Sequence, residues 1–127
     1  MKKTLICALL VGMPFVLCIY ALLGWWIVSD VKAVCVQVTR KYPGDKVDAL
    51  IAYMGSDTHL LKQRNRAIWA AGHLRDRRAL LALEKLYTGE SCDHRGHVCQ
   101  YEVKKAIDKI NDWKPHPWGW AWRFIES

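Results

Sequence analysis

The segment Cys92-Asp93-His94-Arg95-Gly96-His97-Val98-Cys99 packs two cysteines and two histidines into eight residues. Thiolate and imidazole are the ligands zinc prefers, four at a time in a tetrahedron. Ordinary zinc fingers place their two ligand pairs far apart in the chain. Cys92, His94, His97 and Cys99 can therefore share a metal only through a severe local fold. The same spacing admits a Cys92–Cys99 disulfide that closes the loop. Closing a loop of this length stabilises a chain by about 2.5 kcal/mol in the chain-entropy model, given an oxidising compartment. Two reduced thiols without a role are the third possibility. Spacing and compartment together favour the disulfide, then the reduced thiols, then the metal. An accessory domain with a metal-binding or redox-active loop at residues 92–99 is the alternative function. The other cysteines stand apart, Cys7 and Cys18 inside an apolar stretch and Cys35 just beyond it. This is not a disulfide-rich scaffold.

The remaining polar residues offer little chemistry. His59 and His73 fall in helical segments, where a lone histidine is more often packing or surface than a ligand. Asp76 and Arg78 resemble an acid–base pair, but a turn between helices explains both. No nucleophile–base spacing, glycine-rich phosphate loop or paired acidic motif is present. We expect a non-enzymatic protein with no cofactor and no small-molecule substrate. The net charge of +7 is uneven, because all 12 acidic residues lie at Asp30 or beyond. The chain from there on is only mildly basic, and no basic run or aromatic pattern marks a nucleic-acid module. Lys62, Arg64, Arg66, Arg77 and Arg78 cluster in sequence, and a solvated cationic face is expected ahead of a binding patch.

Something must hold these residues in place. Leu5 to Val28 reads LICALLVGMPFVLCIYALLGWWIV, without a charge. As a helix it spans about 36 Å, enough to cross the hydrocarbon of a bilayer. Pro14 removes one backbone hydrogen bond and is expected to bend the helix, which membrane segments tolerate. Trp25 and Trp26 fall at its exit end, where amphipathic rings favour the interface. The rival is a cleaved signal peptide with Lys2 and Lys3 as its n-region. The apolar stretch is longer than a usual h-region, and bulky residues occupy the place where small ones should precede a cut. An uncleaved single-pass anchor is the expectation. Its flanking charges place the N-terminus inside and the C-terminal domain outside the cell membrane.

Beyond the anchor, apolar residues recur at helical spacing. Val31, Val34, Cys35 and Val38 form one stripe that continues the anchor helix outward. Val47, Leu50, Ile51 and Met54 form the next, after a break at Tyr42-Pro43-Gly44-Asp45. Gly55-Ser56-Asp57-Thr58 combines a stop with a cap signal. Leu60, Leu61, Ala67, Ile68, Ala71 and Leu74 stripe a longer helix, and Ala79, Leu80, Leu83, Leu86 and Tyr87 another, ended by Gly89. Val103, Ala106, Ile107 and Ile110 define the last. Only Val34–Thr39 briefly admits a strand. The prediction is an all-α protein: a transmembrane helix followed by two helical hairpins in series, each helix too short to be stable alone. The boundaries fall at 1–29 for the anchor, 30–44 for a juxtamembrane helix and linker, 45–113 for the repeat domain and 114–127 for a tail. That tail carries Trp118, Trp120, Trp122 and Phe124 in alternation. Extended, it sets them on one side. It would cap the repeat's open end, touch the bilayer or dock a partner.

The run Arg66-Ala67-Ile68-Trp69-Ala70-Ala71-Gly72-His73-Leu74-Arg75-Asp76-Arg77-Arg78-Ala79-Leu80-Leu81-Ala82-Leu83-Glu84 resembles the HEAT-repeat family, in particular its phycobilisome-lyase-like variant. An Ala-rich helix face is followed there by Leu-x-Asp-x-Arg-Ala-Leu and a further Leu, matched here by Leu74, Asp76, Arg78, Ala79, Leu80 and Leu83. His73 and Arg75 depart from the small residues common in the pattern. Residues 64–86 match well and 45–112 loosely, in the manner of small bacterial HEAT-repeat proteins. The resemblance implies that Ala67, Ala70 and Ala71 let helices approach, that Asp76 caps the next helix, and that Leu80 and Leu83 fill the groove between helices. It further implies a scaffold that binds a protein partner. It does not imply lyase activity.

Overall fold

The computed structural model describes residues 2–92 and 95–112, with side chains from residue 12 onward. Among these residues the chain is all-helical and has no strand. Helix α1 spans Lys2–Thr39, α2 Lys46–Gly55, α3 Leu61–Leu74, α4 Leu80–Leu86 and α5 Gln100–Asn111, and a 3₁₀ turn at Arg77–Ala79 leads into α4. The Trp-rich tail at 114–127 lies outside the described residues, as does His94. The described chain divides between Asp30 and Val31 into two compact units.

In the first unit α1 runs through Pro14 without interruption. From Met13 to Leu23 its large apolar side chains stand exposed all round the helix, and Trp25 and Trp26 are 71% and 66% exposed. A helix apolar on every face has no core to bury it. It is the one helix of the described chain long and apolar enough to cross a membrane. A signal sequence shares that signature.

The second unit begins within the same helix. Val31, Val34, Cys35 and Val38 are all buried, as their i, i+3, i+4, i+7 spacing predicts. Val34–Thr39 is helical, and the Thr39 hydroxyl donates to the Cys35 carbonyl at 2.9 Å as the helix ends. These last turns belong to the helical unit's core, so its boundary lies nearer Val31 than residue 45. Gly44, at φ 121°, then turns the chain into Asp45. The Asp45 carboxylate caps α2 by accepting from the Val47 and Asp48 amides at 2.9 Å each.

Helix α2 pairs with α3 and α4 with α5. Helix α3 packs most extensively on α5, and α2 reaches the 3₁₀ turn and α4. The central helix α3 therefore buries a wide arc, Ala67, Ile68, Ala70 and Ala71 among it. Gly72 lets α5 come close, since a Cβ there would lie 2.8 Å from the Ala106 Cα.

Several local expectations change. Leu60 is 71% exposed and caps α3 without any side-chain bond. The cap signal at Ser56-Asp57-Thr58 goes unused. Ser56 and Thr58 bond to each other at 2.8 Å, and Asp57 turns to Arg64. Helix α4 stops at Leu86 with Tyr87 extended, three residues before Gly89. Tyr87 consequently leaves the stripe and is 41% exposed.

Candidate functional site at the Cys92–Cys99 loop

Three short elements build the surroundings of the two cysteines. Gln100, the first residue of α5, is buried and satisfies both ends of its amide. Its nitrogen donates to the Leu86 carbonyl at 3.1 Å and the Val98 carbonyl at 3.3 Å. Its oxygen accepts from the Thr88 amide at 2.8 Å. One side chain thus ties the exit of α4 to the entrance of α5, which matters because an unpaired buried amide is expensive. Asn65 of α3 adds a third anchor by accepting from the Cys99 amide at 2.9 Å.

The result brings the two sulfurs together. Cys92 Sγ lies 2.8 Å from Cys99 Sγ, with both residues in the thiol form. The Tyr101 amide, in the first turn of α5, donates to Cys92 Sγ at 3.2 Å. Cys99 is only 7% exposed, whereas Cys92 is half-buried. Burial pushes the Cys99 thiol up from its ordinary range, and contact with Cys92 adds to this. The Glu102 and Tyr101 amides pull the other way. Next to the cysteines in the chain, Thr88, Glu90, Ser91, His97, Val98 and Gln100 line an open recess of about 390 Å³.

The two cysteines that the sequence spacing singles out lie side by side. His97 is exposed. Among the described residues no group of three or more His, Cys, Asp or Glu side chains is arranged to hold a metal ion. Asn65 and Gln100, which fix the pair, had no sequence signal beyond their closeness to Cys99 or the basic run.

The repeat-turn residues form a separate cluster. Ala67, Ala71 and Leu83 are buried, while Leu74 and Leu80 are half-buried. Asp76 caps the 3₁₀ turn by accepting from the Arg78 amide at 2.8 Å. The Arg78 guanidinium bonds Asp76 at 2.9 Å and Asp45 at 2.6 Å, joining the cap of the 3₁₀ turn before α4 to the cap of α2. Arg64 is also withdrawn from the expected cationic face. It is 9% exposed, donates from Nε to the Met54 carbonyl at 2.9 Å and meets Asp57 at 2.6 Å. It thereby satisfies one orphan carbonyl at the end of α2.

His73 lies in α3 as expected, whereas His59 falls in the turn between α2 and α3 rather than in a helix. Both have built-in neighbours. His59 stacks on Tyr53 with centroids 3.9 Å apart and meets the Tyr42 hydroxyl at 3.0 Å. His73 packs on Trp69 and lies 2.6 Å from Lys109 Nζ across the α3–α5 contact. Burial pushes the Lys109 ammonium down, as do Lys105 and Arg75.

No family model, curated protein or solved structure matches the chain.

Proposed function

We propose that the chain is a membrane-tethered binding module, a short HEAT-like stack that presents its surface to a protein partner and performs no catalysis. The observation that carries this reading is the packing order. Each hairpin, α2–α3 and α4–α5, is too small to bury its own apolar stripe. The two bury them jointly, α3 on α5 and α2 on α4, which is how repeat modules gain their stability. The Asp45–Arg78–Asp76 linkage runs between the same two hairpins. The apolar helix supplies the tether, and Lys2 and Lys3 favour an extracytoplasmic domain. Leu81 and Tyr101, 63% and 64% exposed, mark the outer faces of α4 and α5 that a partner would meet. The Cys92–Cys99 sulfur pair favours a second role in thiol chemistry beside binding.

Two measurements test this reading. Tagged full-length chain should stay in the membrane pellet after alkaline carbonate extraction with its N-terminal peptide intact, and external protease should digest the domain in intact cells. A photo-cross-linker at Leu81 or Tyr101 should give one discrete protein adduct in native membranes, reduced by Leu81→Glu or Tyr101→Glu respectively. A chain released by carbonate removes the tether. Diffuse or absent cross-links remove the partner.

A further inference from the structure

We propose that Cys92 and Cys99 form a thiol–disulfide exchange site in which Cys92 receives an incoming disulfide and Cys99 resolves it, leaving an intrachain bridge. The substrate class is a small or protein disulfide of the glutathione type. The proposal is independent of the binding reading.

Position decides which sulfur reacts first. A disulfide approaching from solvent must align with the attacking sulfur. Cys99 is 7% exposed and covered at the start of α5, whereas Cys92 is half-buried and the more accessible of the two. The Tyr101 amide donates to Cys92 Sγ at the N-terminus of α5, where the helix dipole favours an anion. Both features suit an attacking thiolate.

The steps balance as follows. The Cys92 thiolate attacks one sulfur of glutathione disulfide, forming a Cys92–glutathione mixed disulfide and expelling one glutathione thiolate. Cys99, after giving its proton to solvent, attacks Cys92 Sγ and expels the second. Two protein thiols and one glutathione disulfide become one protein disulfide and two glutathione thiols, and excess glutathione runs the sequence backwards. The second step is short-range because the sulfurs already lie 2.8 Å apart. Gln100 and Asn65 hold the carbonyl and the amide of the Val98–Cys99 peptide group, so the resolving sulfur keeps its place while the first is occupied.

Full-length protein in detergent provides the test. Trypsin cuts after Arg95, between the two cysteines, so the bridge joins peptides 86–95 and 96–104. Glutathione disulfide should generate that pair, and reduced glutathione should remove it. Cys99→Ser should accumulate the glutathione adduct on Cys92, and Cys92→Ser should modify Cys99 roughly tenfold more slowly, following burial. Should a variant melt below the wild type, rapid alkylation of the wild-type reaction replaces it, trapping the Cys92 adduct before the bridge forms. Absence of the bridged pair at every glutathione ratio would overturn the proposal. So would equal modification rates at the two cysteines, or a zinc ion retained per chain in place of the bridge.

Discussion

Gly72 of α3 and Ala106 of α5 meet with no room for a methyl group between them. A Cβ built on Gly72 would lie 2.8 Å from the Ala106 Cα and 2.9 Å from its Cβ. Alanine normally favours a helix over glycine by about 1 kcal/mol, so the position opposes its own local preference. Forcing a methyl into a packed contact costs about 1–3 kcal/mol. Because the obstacle is the Ala106 backbone, the cost falls in the upper part of that range, about 2–3 kcal/mol. Gly72→Ala should lose about 1–2 kcal/mol in urea unfolding after the helical gain of about 1 kcal/mol is subtracted. Gly55, with nothing within 4 Å of its added Cβ, should tolerate alanine. Adding Ala106→Gly should restore little, because the nearest obstacle is the Ala106 backbone. A stable Gly72→Ala chain would mean that α3 and α5 are not in this contact.

Arg64 gives the second prediction. Its Nε–H supplies the partner of the Met54 carbonyl inside the unit, whereas the carboxylate it meets, Asp57, is 92% exposed. Removing a buried partner costs about 1–3 kcal/mol, and a surface ion pair contributes up to about 1. Arg64→Met should therefore destabilise more than Asp57→Ala. Arg64→Lys should not restore stability, since it cannot reproduce the planar fork. Denaturant midpoints of the three variants read the order, and a larger loss from Asp57→Ala would reverse the assignment.

The stripes that were legible are those in which apolar residues fall on one helical face. Val31, Val34, Cys35 and Val38 were readable because a 3.6-residue period says which side is inside. Ala67 and Ala71 were legible too, since small residues announce a close approach. The deviations come from interactions that periodicity does not encode. Leu60 extends the stripe of α3 backwards on paper, yet Gly55 ends α2 and the turn between them leaves Leu60 outside. Arg64 looks like one of a row of solvated cations, and only the free carbonyl at the end of α2 draws it inward. Of the candidate site, the sulfurs were visible from spacing alone. Asn65 was not, because its partner, the Cys99 amide, is 34 residues away.

The cap-to-cap linkage through Arg78 makes a pH prediction. The Asp45 carboxyl is held below its ordinary value first by the Asp48 amide and then by Arg78. For Asp76 the Arg78 side chain is the leading cause. A folded carboxyl with a depressed pKa adds stability that is present above the unfolded pKa, near 4, and lost as pH falls through the folded value. Melting temperature should therefore drop on the acid side of about pH 4. Arg78→Gln should weaken that acid limb, and Asp45→Asn should reduce its slope while keeping the cap, because asparagine caps about as well as aspartate. An acid limb unchanged in Arg78→Gln would show that the linkage does not govern it.

His59 should act in a different window. Its imidazole is pushed below its ordinary value by desolvation first, then by Lys41 and Arg64. Its Nε2 faces the Tyr42 hydroxyl at 3.0 Å. In the neutral tautomer that carries its proton on Nδ1, Nε2 accepts from the phenol. Protonation removes the acceptor and adds a third positive charge beside the two cations. For a histidine with a depressed folded pKa, the unfolded chain binds the proton first. Stability is then full above the unfolded pKa, about 6.5, and falls as pH drops towards the folded value. An NMR titration of the His59 ring should give a midpoint below that of an unstructured histidine, and Lys41→Gln should move it upward. His59→Gln should flatten the stability loss between about pH 7 and 5 while leaving the carboxylate limb in place. A His59 midpoint at or above the ordinary value would show that the Tyr53 stack and the two cations do not hold the ring neutral.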